Sequence, residues 1–434
     1  MRKMKESGLS WLKEIPEDWQ ISKIKYIATL SPSCDRSELT PESVITYTPM
    51  EYIKNGAFIN NTEQYGNVPA SLTPYQEGDI AMAKVTPCFE NGNIAVMEGL
   101  SNGFGVGSSE LIIFRPKNIE TRFLFYWLRN TAFVERAIST ITGTGGLKRI
   151  STEFVRNSEI PLPSVEEQKK IAEYLDRKCN QLDSIIDRQH HVIEKLNAYK
   201  LSVITEAVTK GLNPDAPMKD SGIEWIGEIP SHWNISKVKY AVTKVGSGKT
   251  PKGGADVYSS AGVLFIRSQN VYNEGLMLDN STYISPEIDE EMSNTRVYGG
   301  DVLLNITGGS IGRCCIYPDE LDHANVNQHV CIIRTIQNII TPKYMYYFWI
   351  SKSGQTSIDI YQTGANREGM NFEQINNTMM PFISVDEQQQ ITDYLDKKCA
   401  AIDASIAKRQ QLIEKLTEYK KSLIFEVVTG KKEV

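Results

Sequence analysis

Three glycine-rich stretches carry residue types able to do chemistry. VGSGKT (245–250) has the glycine, lysine and threonine with which a phosphate-binding loop cradles a nucleotide. That loop needs another glycine five residues before Gly248. The position is Thr243, and Pro251 follows where the phosphate-binding helix should run on, so nucleotide binding is not expected. GGSIG (308–312) fits the G-x-S-x-G nucleophile elbow, which must lead from a strand into a helix. RCCIY follows Ser310 and reads as another strand, so acyl transfer is not expected either. GFGVG (103–107) reads as a turn lying before a strand, not after one, and lacks the context of a cofactor loop. There is no HExxH, no CxxC pair, and no Asp/Asn-Pro-Pro-aromatic tetrad of the kind that amino-methyltransferases place beside a target base. The seven cysteines fit reduced intracellular thiols rather than a disulfide framework or a zinc site. Cys314 and Cys315 should point to opposite faces of a strand. Cys179 and Cys399 fall on an apolar helix stripe, and His190-His191 on its polar side. No self-contained active site is left, which directs attention to recognition or scaffolding.

The elements that would carry recognition come from a duplication. Glu6–Tyr26 (ESGLSWLKEIPEDWQISKIKY) aligns without gaps on Asp220–Tyr240, with twelve of 21 positions identical, among them Trp11/Trp225, Pro16/Pro230, Trp19/Trp233 and Lys25/Lys239. Residues 160–211 match 380–431 at an offset of 220, keeping Glu167/Glu387, Gln168/Gln388, Leu175/Leu395, Cys179/Cys399 and Glu194/Glu414. Weaker echoes lie between: RFLFYWL (122–128) with KYMYYFW (343–349), and Gly78-Asp79-Ile80 with Gly300-Asp301-Val302. The ends of each copy stay alike while the middles, 30–158 and 246–378, drift. That pattern suggests one scaffold with two contents.

Ser164-Val165-Glu166-Glu167 and Ser384-Val385-Asp386-Glu387 fit the capping box that opens a helix. Apolar residues then recur at three- and four-residue steps: Ile171, Leu175, Leu182, Ile186, Ile193, Leu196 and Val203, and in the second copy Ile391, Leu395, Ile402, Ile406, Ile413, Leu416 and Leu423. The alternation is a coiled-coil seam, interrupted at matching points by Gln189/Arg409 and Lys200/Lys420, polar residues suited to fixing register. The first helix should stop at Lys210-Gly211, before Pro214. At 1.5 Å per residue each rod is about 65 Å long. Chain order makes the rods antiparallel if they pack on one another; the alternative is that each packs on its own globular unit. The drifting middles read as short strands between glycine turns, such as 43–50, 78–85, 109–116, 262–271, 300–307 and 329–335, with an aromatic helix late in each (122–136, 343–356). The expected class is α/β mixed: two strand-rich globular units, 1–160 and 213–380, separated by two long antiparallel coiled-coil helices in 161–212 and 381–434, with pseudo-two-fold symmetry.

The net charge of −6 carries no overall basic signature of nucleic-acid binding. Residues 213–380 hold 13 basic against 18 acidic side chains. Any DNA contact must therefore come from local patches or a partner's charge. The charged N-terminal stretch has no signal-peptide h-region, and FLFYWL (123–128) and YMYYFWI (344–350) are too short to span a bilayer, so a cytoplasmic protein without membrane contact is expected.

The pattern SG-x-x-W-x-x-x-IP-x-x-W opening each half, with P-x-x-S-V-x-EQ-x-x-I-x-x-YLD leading into each long helix, resembles the specificity subunit of type I restriction–modification enzymes. AKVTPCFENGNIAV (83–96) with GFGVGSSELIIFRP (103–116) is similar to one subtype of that family's target recognition domain, and GDVLLNITGGSIGRCCI (300–316) with NVNQHVCIIR (325–334) to another. The resemblance implies a non-catalytic subunit whose two target recognition domains each read one half of a split site in double-stranded DNA. It implies two modification subunits that bind S-adenosylmethionine and methylate adenine N6. Restriction subunits using ATP and Mg2+ would complete the complex, with no cofactor in this chain. A rigid rod would fix the half-site spacing like a ruler, so that four residues inserted into the first helix, about 6 Å, would lengthen the unread spacer by one or two base pairs without changing either half-site. The runner-up is a coiled-coil adaptor that never touches DNA.

Base edges are read by Arg, Lys, Asn, Gln, Ser or Thr on exposed loops. The candidates in the first half are Lys84, Thr86, Asn91, Asn93, Ser108, Ser109, Lys148 and Arg149. Those in the second are Lys249, Lys252, Arg267, Gln269, Asn270, Asn305, Thr307, Asn327, Gln328 and Arg367. Lys148-Arg149, after the GTGG turn, is the expected phosphate clamp.

Overall fold

The computed structural model describes residues 2–143, 148–362 and 369–434. Two compact units divide the chain, Met1–Gln189 with Gln410–Val434, and His190–Arg409.

In the first unit a hairpin of Met4–Leu9 and Leu12–Pro16 leads to the strand Gln20–Lys23, which pairs with Glu159–Leu162 from the far end of the globular part. Between them lie β1 (Ala28–Leu30), β2 (Val44–Thr48), β3 (Thr62–Gln64), β4 (Thr73–Gln76), β5 (Ile80–Ala83), β6 (Ile94–Val96), β7 (Phe104–Gly107) and β8 (Leu111–Pro116). They form two four-stranded sheets, ordered β6-β5-β8-β1 and β3-β2-β7-β4, with β7 parallel to β2. The strands β5, β6 and β8 read as apolar runs because both of their faces are covered. Ile80, Met82, Ile112 and Phe114 point into the core that holds the helices, while Ala81, Leu111 and Ile113 alternate into a second core with Ile53 and Tyr75. The helix α1 (Thr121–Arg129) buries six consecutive side chains, Phe123 to Leu128.

From here the chain enters α2 (Val165–Lys210), one unbroken helix. The second unit then repeats the first strand for strand: β9 (Val242–Ser247), β10 (Val263–Ile266), β11 (Thr282–Ile284), β12 (Arg296–Val297), β13 (Val302–Asn305), β14 (Cys314–Ile316), β15 (Ala324–Val326) and β16 (Val330–Thr335). The orders are β14-β13-β16-β9 and β11-β10-β15-β12, with β15 parallel to β10. The drifted middles thus keep one topology. The helix α3 (Pro342–Ile350) takes the place of α1, and α4 (Val385–Val428) closes the chain order. The echo at Gly78-Asp79 and Gly300-Asp301 is a repeated pin. Asp79 accepts from the Gln76 N–H and from Arg115 Nε and Nη2, and Asp301 likewise from the Tyr298 N–H and both nitrogens of Arg334.

One structural device recurs at the start of each long helix. Ser164 and Ser384 accept from the N–H groups of Glu167 and Glu387, as a capping residue should. The reciprocal half of the box takes another course. The Glu167 and Glu387 carboxylates accept from Trp19 Nε1 (3.1 Å) and Trp233 Nε1 (2.9 Å). Gln168 and Gln388, both buried, accept from the N–H groups of Glu120 and Thr341 and so tie each long helix to the first turn of its aromatic neighbour. The Trp19 ring also lies against Gly430 and the Trp233 ring against Gly211, each glycine just past the end of the other long helix and at positive φ. Each tryptophan therefore joins the start of one helix to the end of the other, which makes the pair antiparallel within each unit.

Packing along the seam changes with position. In the first unit Ile171, Leu175, Cys179 and Leu182 share a core with Leu423, Ile424, Val427 and Val428. In the second, Val203, Ile204, Ala207 and Val208 share one with Ile391, Leu395 and Cys399. Those segments pack both on the partner helix and on the unit's own aromatic helix, so the two packing alternatives hold together. Ile402 is also buried, whereas Ile186, Ile193, Leu196, Ile406, Ile413 and Leu416 are half-buried, Leu416 against the core of the first unit. The interrupting lysines fix register as expected. Lys420 Nζ lies 2.6 Å from both Asp183 oxygens in the first unit, and Lys200 Nζ lies 2.7 and 2.8 Å from those of Asp403 in the second.

Candidate nucleic-acid interface

The glycine motifs have structural explanations. A Cβ on Gly248 would stand 1.5 Å from the Val326 carbonyl oxygen, so VGSGKT is where a strand passes close to β15. GGSIG forms a tight turn, Gly308–Ser310, before β14, with no helix after it. GFGVG corrects the expectation of a turn. Phe104–Gly107 is strand β7, and Gly105 leaves room for the Tyr75 ring, whose nearest atom would lie 2.2 Å from an added Cβ. All seven cysteines are unpaired. Cys314 and Cys315 do face two different cores. Burial pushes the Cys331 and Cys315 thiols up to about 12 and raises Cys179 and Cys399, the opposite of nucleophile activation.

Polar candidates gather instead where the central strands end. In the first unit, the backbone of 148–150 lies along 84–86, with the Thr86 N–H bonded to the Lys148 carbonyl and the Ile150 N–H to that of Lys84. This brings Lys84, Thr86, Lys148 and Arg149 beside the β7–β8 turn. Lys84 Nζ donates to the Ser109 carbonyl at 2.9 Å. Ser108 Oγ accepts from the Glu110 N–H and shapes the turn, with Ser109 exposed at its crest. Asn91 is exposed on the turn after β5, while Asn93 is half-buried and its carbonyl pairs with the Ala83 N–H. Arg149 does not stand ready for phosphate. Its Nε and Nη2 donate to Glu110 at 2.7 and 2.8 Å, and those bonds hold the Glu110 carboxyl below its usual range. Lys148 is exposed, so the expected clamp divides into a neutralised arginine and a solvated lysine. Of GTGG only Gly143 is among the described residues.

The second unit gathers three loops. Thr250 Oγ1 donates to Gln328 Oε1 (2.7 Å), Gln328 Nε2 lies 3.0 Å from His329 Nε2, and His329 Nδ1 meets Thr307 Oγ1. Asn327 Oδ1 accepts from the His329 N–H. Thr250 and His329 were not singled out from the sequence; a lone histidine and a threonine inside an apparent phosphate loop carry no signal of their own. Lys252 and Gln269 are exposed, Lys249 Nζ donates to the Glu291 carbonyl, and Arg267 stacks on Tyr258. Asn270 and Asn305 are buried and build turns. Asn270 bridges the Arg267 N–H and the Met277 carbonyl, while Asn305 Nδ2 donates to the Ser268 carbonyl. Arg367 lies outside the described residues. A second cluster is architectural: burial disfavours the Asp289 charge, but bonds from Arg296, His323 and Asn325 outweigh it and leave the carboxyl below its usual range.

A family profile described as the type I restriction modification DNA specificity domain matches residues 16–196 and again 230–415. The type I restriction enzyme EcoAI specificity subunit of Escherichia coli is 33% identical over 195 residues, covering 42% of this chain and 33% of that protein. The EcoEI specificity subunit of the same organism is 31% identical over 197 residues. The chain therefore spans about a third of the length of these two relatives. The MjaVIII specificity subunit of Methanocaldococcus jannaschii is 24% identical and aligns over 96% of this chain and 93% of its own. A solved structure from work on complex assembly and conformational transition of the type I R-M system superposes with a TM-score of 0.75 at 14% identity, covering 96% and 99%. The HsdS subunit from Thermoanaerobacter tengcongensis gives 0.50 at 15% identity, covering 96% and 98%. At those identities the structures speak for the fold. Among the described residues no helix is long and apolar enough to cross a membrane.

Proposed function

The chain belongs to the type I restriction modification DNA specificity family, and from that premise we propose that it reads DNA for a methylating and restricting complex without catalysing a reaction itself. Each unit reads one half of a split site in double-stranded DNA. The observation that supports this reading most strongly is the repeated eight-strand scaffold whose strand ends carry unlike polar sets: Lys84, Ser109 and Lys148 in one unit, Thr307 and Gln328 in the other. Unlike readers on like scaffolds call for an asymmetric bipartite site, where identical readers would call for a palindrome. In this proposal the reading regions are the strand-rich parts of 1–160 and 213–380, and the helices of 161–212 and 381–434 set the spacer. The helices also dock two modification subunits, which hold S-adenosylmethionine and methylate adenine N6. Restriction subunits bring ATP and Mg2+.

The test is to produce the full chain with the type I modification proteins of its host and to map methylated adenines in genomic DNA. One split motif with a fixed spacer is expected. Methylation scattered without a motif, or none with the modification proteins present, would leave a protein scaffold and remove the DNA reader.

A further inference from the structure

We propose that Gln328 reads an adenine in the half-site of the second unit, and that Thr250 and His329 are the positioning residues that hold its amide for that purpose. The inference deepens the DNA-reading proposal and rests on it.

The turn between β7 and β8 recurs between β15 and β16. The pinned arginines Arg115 and Arg334 set the register between β8 and β16, and counting back aligns Ser108, Ser109 and Glu110 with Asn327, Gln328 and His329. The turn is built alike in both. Its first side chain, Ser108 Oγ or Asn327 Oδ1, accepts from the N–H two residues on. Its third reaches sideways, Glu110 to Arg149 and His329 to Thr307. Its middle residue stands exposed at the crest, serine in one unit and glutamine in the other. The backbone is thus held constant while the crest differs.

A free surface glutamine is a poor reader, because fixing its side chain costs about 1.5–2 kcal/mol of rotamer entropy. Gln328 is already fixed. Thr250 donates to its Oε1, and its Nε2 donates to His329 Nε2, which must then be the unprotonated ring nitrogen. The ring proton sits on Nδ1, which donates it in a hydrogen bond to Thr307 Oγ1. Every bond in that series has a donor and an acceptor with one consistent direction. Each amide atom keeps one unused valence: the second lone pair of Oε1 and the second N–H of Nε2. An acceptor beside a donor on one planar group is the complement of adenine N6–H and N7 in the major groove. Guanine, with acceptors at both O6 and N7, does not match it, and neither does cytosine.

The experiment uses the complete chain with its modification proteins and reads the methylated motif of each variant. Gln328→Ala should lower discrimination at one A·T position of one half-site by about 5- to 150-fold, leaving the other half-site and the spacer unchanged. Gln328→Glu, with acceptors only, should move preference at that position towards cytosine, whose N4 donates. His329→Gln places an amide where Nε2 now lies and should retain selectivity. His329→Leu should lose it, with the thermal midpoint of the chain kept in both. An unaltered motif in Gln328→Ala, an equal loss at every position, or relaxation at a G·C pair overturns the assignment. A wild-type complex that methylates no split site overturns the parent proposal and this one with it.

Discussion

At Lys148 and Arg149 two adjacent cations have different fates. Arg149 is committed to Glu110, and the pair is solvent-screened, so removing it should cost little stability. Lys148→Ala should lower the slope of log affinity against log salt by about one, as loss of a phosphate contact does; Arg149→Ala should leave that slope within error. Equal effects would show that Glu110 releases its partner when DNA binds. The pair also fixes the sign of a pH effect. Glu110 has a depressed folded pKa, because the Arg149 bonds favour its charged form. Its contribution is complete above the unfolded carboxylate value near 4.5 and fades as pH falls through the folded value. Chemical denaturation of Glu110→Gln and wild type should therefore differ at neutral pH and converge only as acid carries the carboxyl below its folded value. Sequence went only part of the way at this scale. Asn270, Asn305 and Gln328 are all amides beside turns, yet two are buried brackets and one is an exposed crest. Only the neighbours contributed by distant loops distinguish them, and those neighbours have no fixed spacing in the chain.

The long helices and their entry motifs were far more legible, because helical period, caps and glycine stops are local in sequence. What could not be read locally was the use of Glu167, Gln168 and their repeats, whose partners lie far away in sequence. The side chain of Gln388 is buried and serves the Thr341 N–H together with the Ile339 and Ile383 carbonyls. Gln388→Ala should accordingly destabilise the second unit by about 1–3 kcal/mol, the range for stranding buried polar groups, as measured by urea unfolding. The lysine pins should differ in strength. Lys420 keeps 9% of its side chain exposed and Lys200 keeps 24%. Lys420→Ala should cost about 1–2 kcal/mol and Lys200→Ala under about 1 kcal/mol. Charge reversal of Lys420 with Asp183 should recover most of the loss. Equal costs at the two sites would mean that burial does not set the strength of these pins.

For the whole molecule, the pins refine the proposed ruler. An insertion in α2 alone would slide its lysine and aspartate past their partners. Seven residues added at matched points in both helices keep the seam in phase and add about 10 Å. The expected outcome is a spacer longer by about three base pairs at 3.4 Å each, with both half-motifs unchanged; an unchanged spacer in methylation maps would refute the ruler. The duplication was legible from Trp19/Trp233 outward. The identity of the two drifted folds was not, because strand order is kept by cores that tolerate exchange, such as Ile80 and Met82 against Val302 and Leu304. The first unit also borrows Leu423, Ile424, Val427 and Val428 from the distant segment Gln410–Val434, whereas the second is one uninterrupted stretch. Order of synthesis then opposes order of numbering. On the ribosome the later-encoded half has all its pieces first, while the earlier half waits with an apolar flank uncovered until the terminal turns emerge, a period in which a nascent chain is most in need of a chaperone.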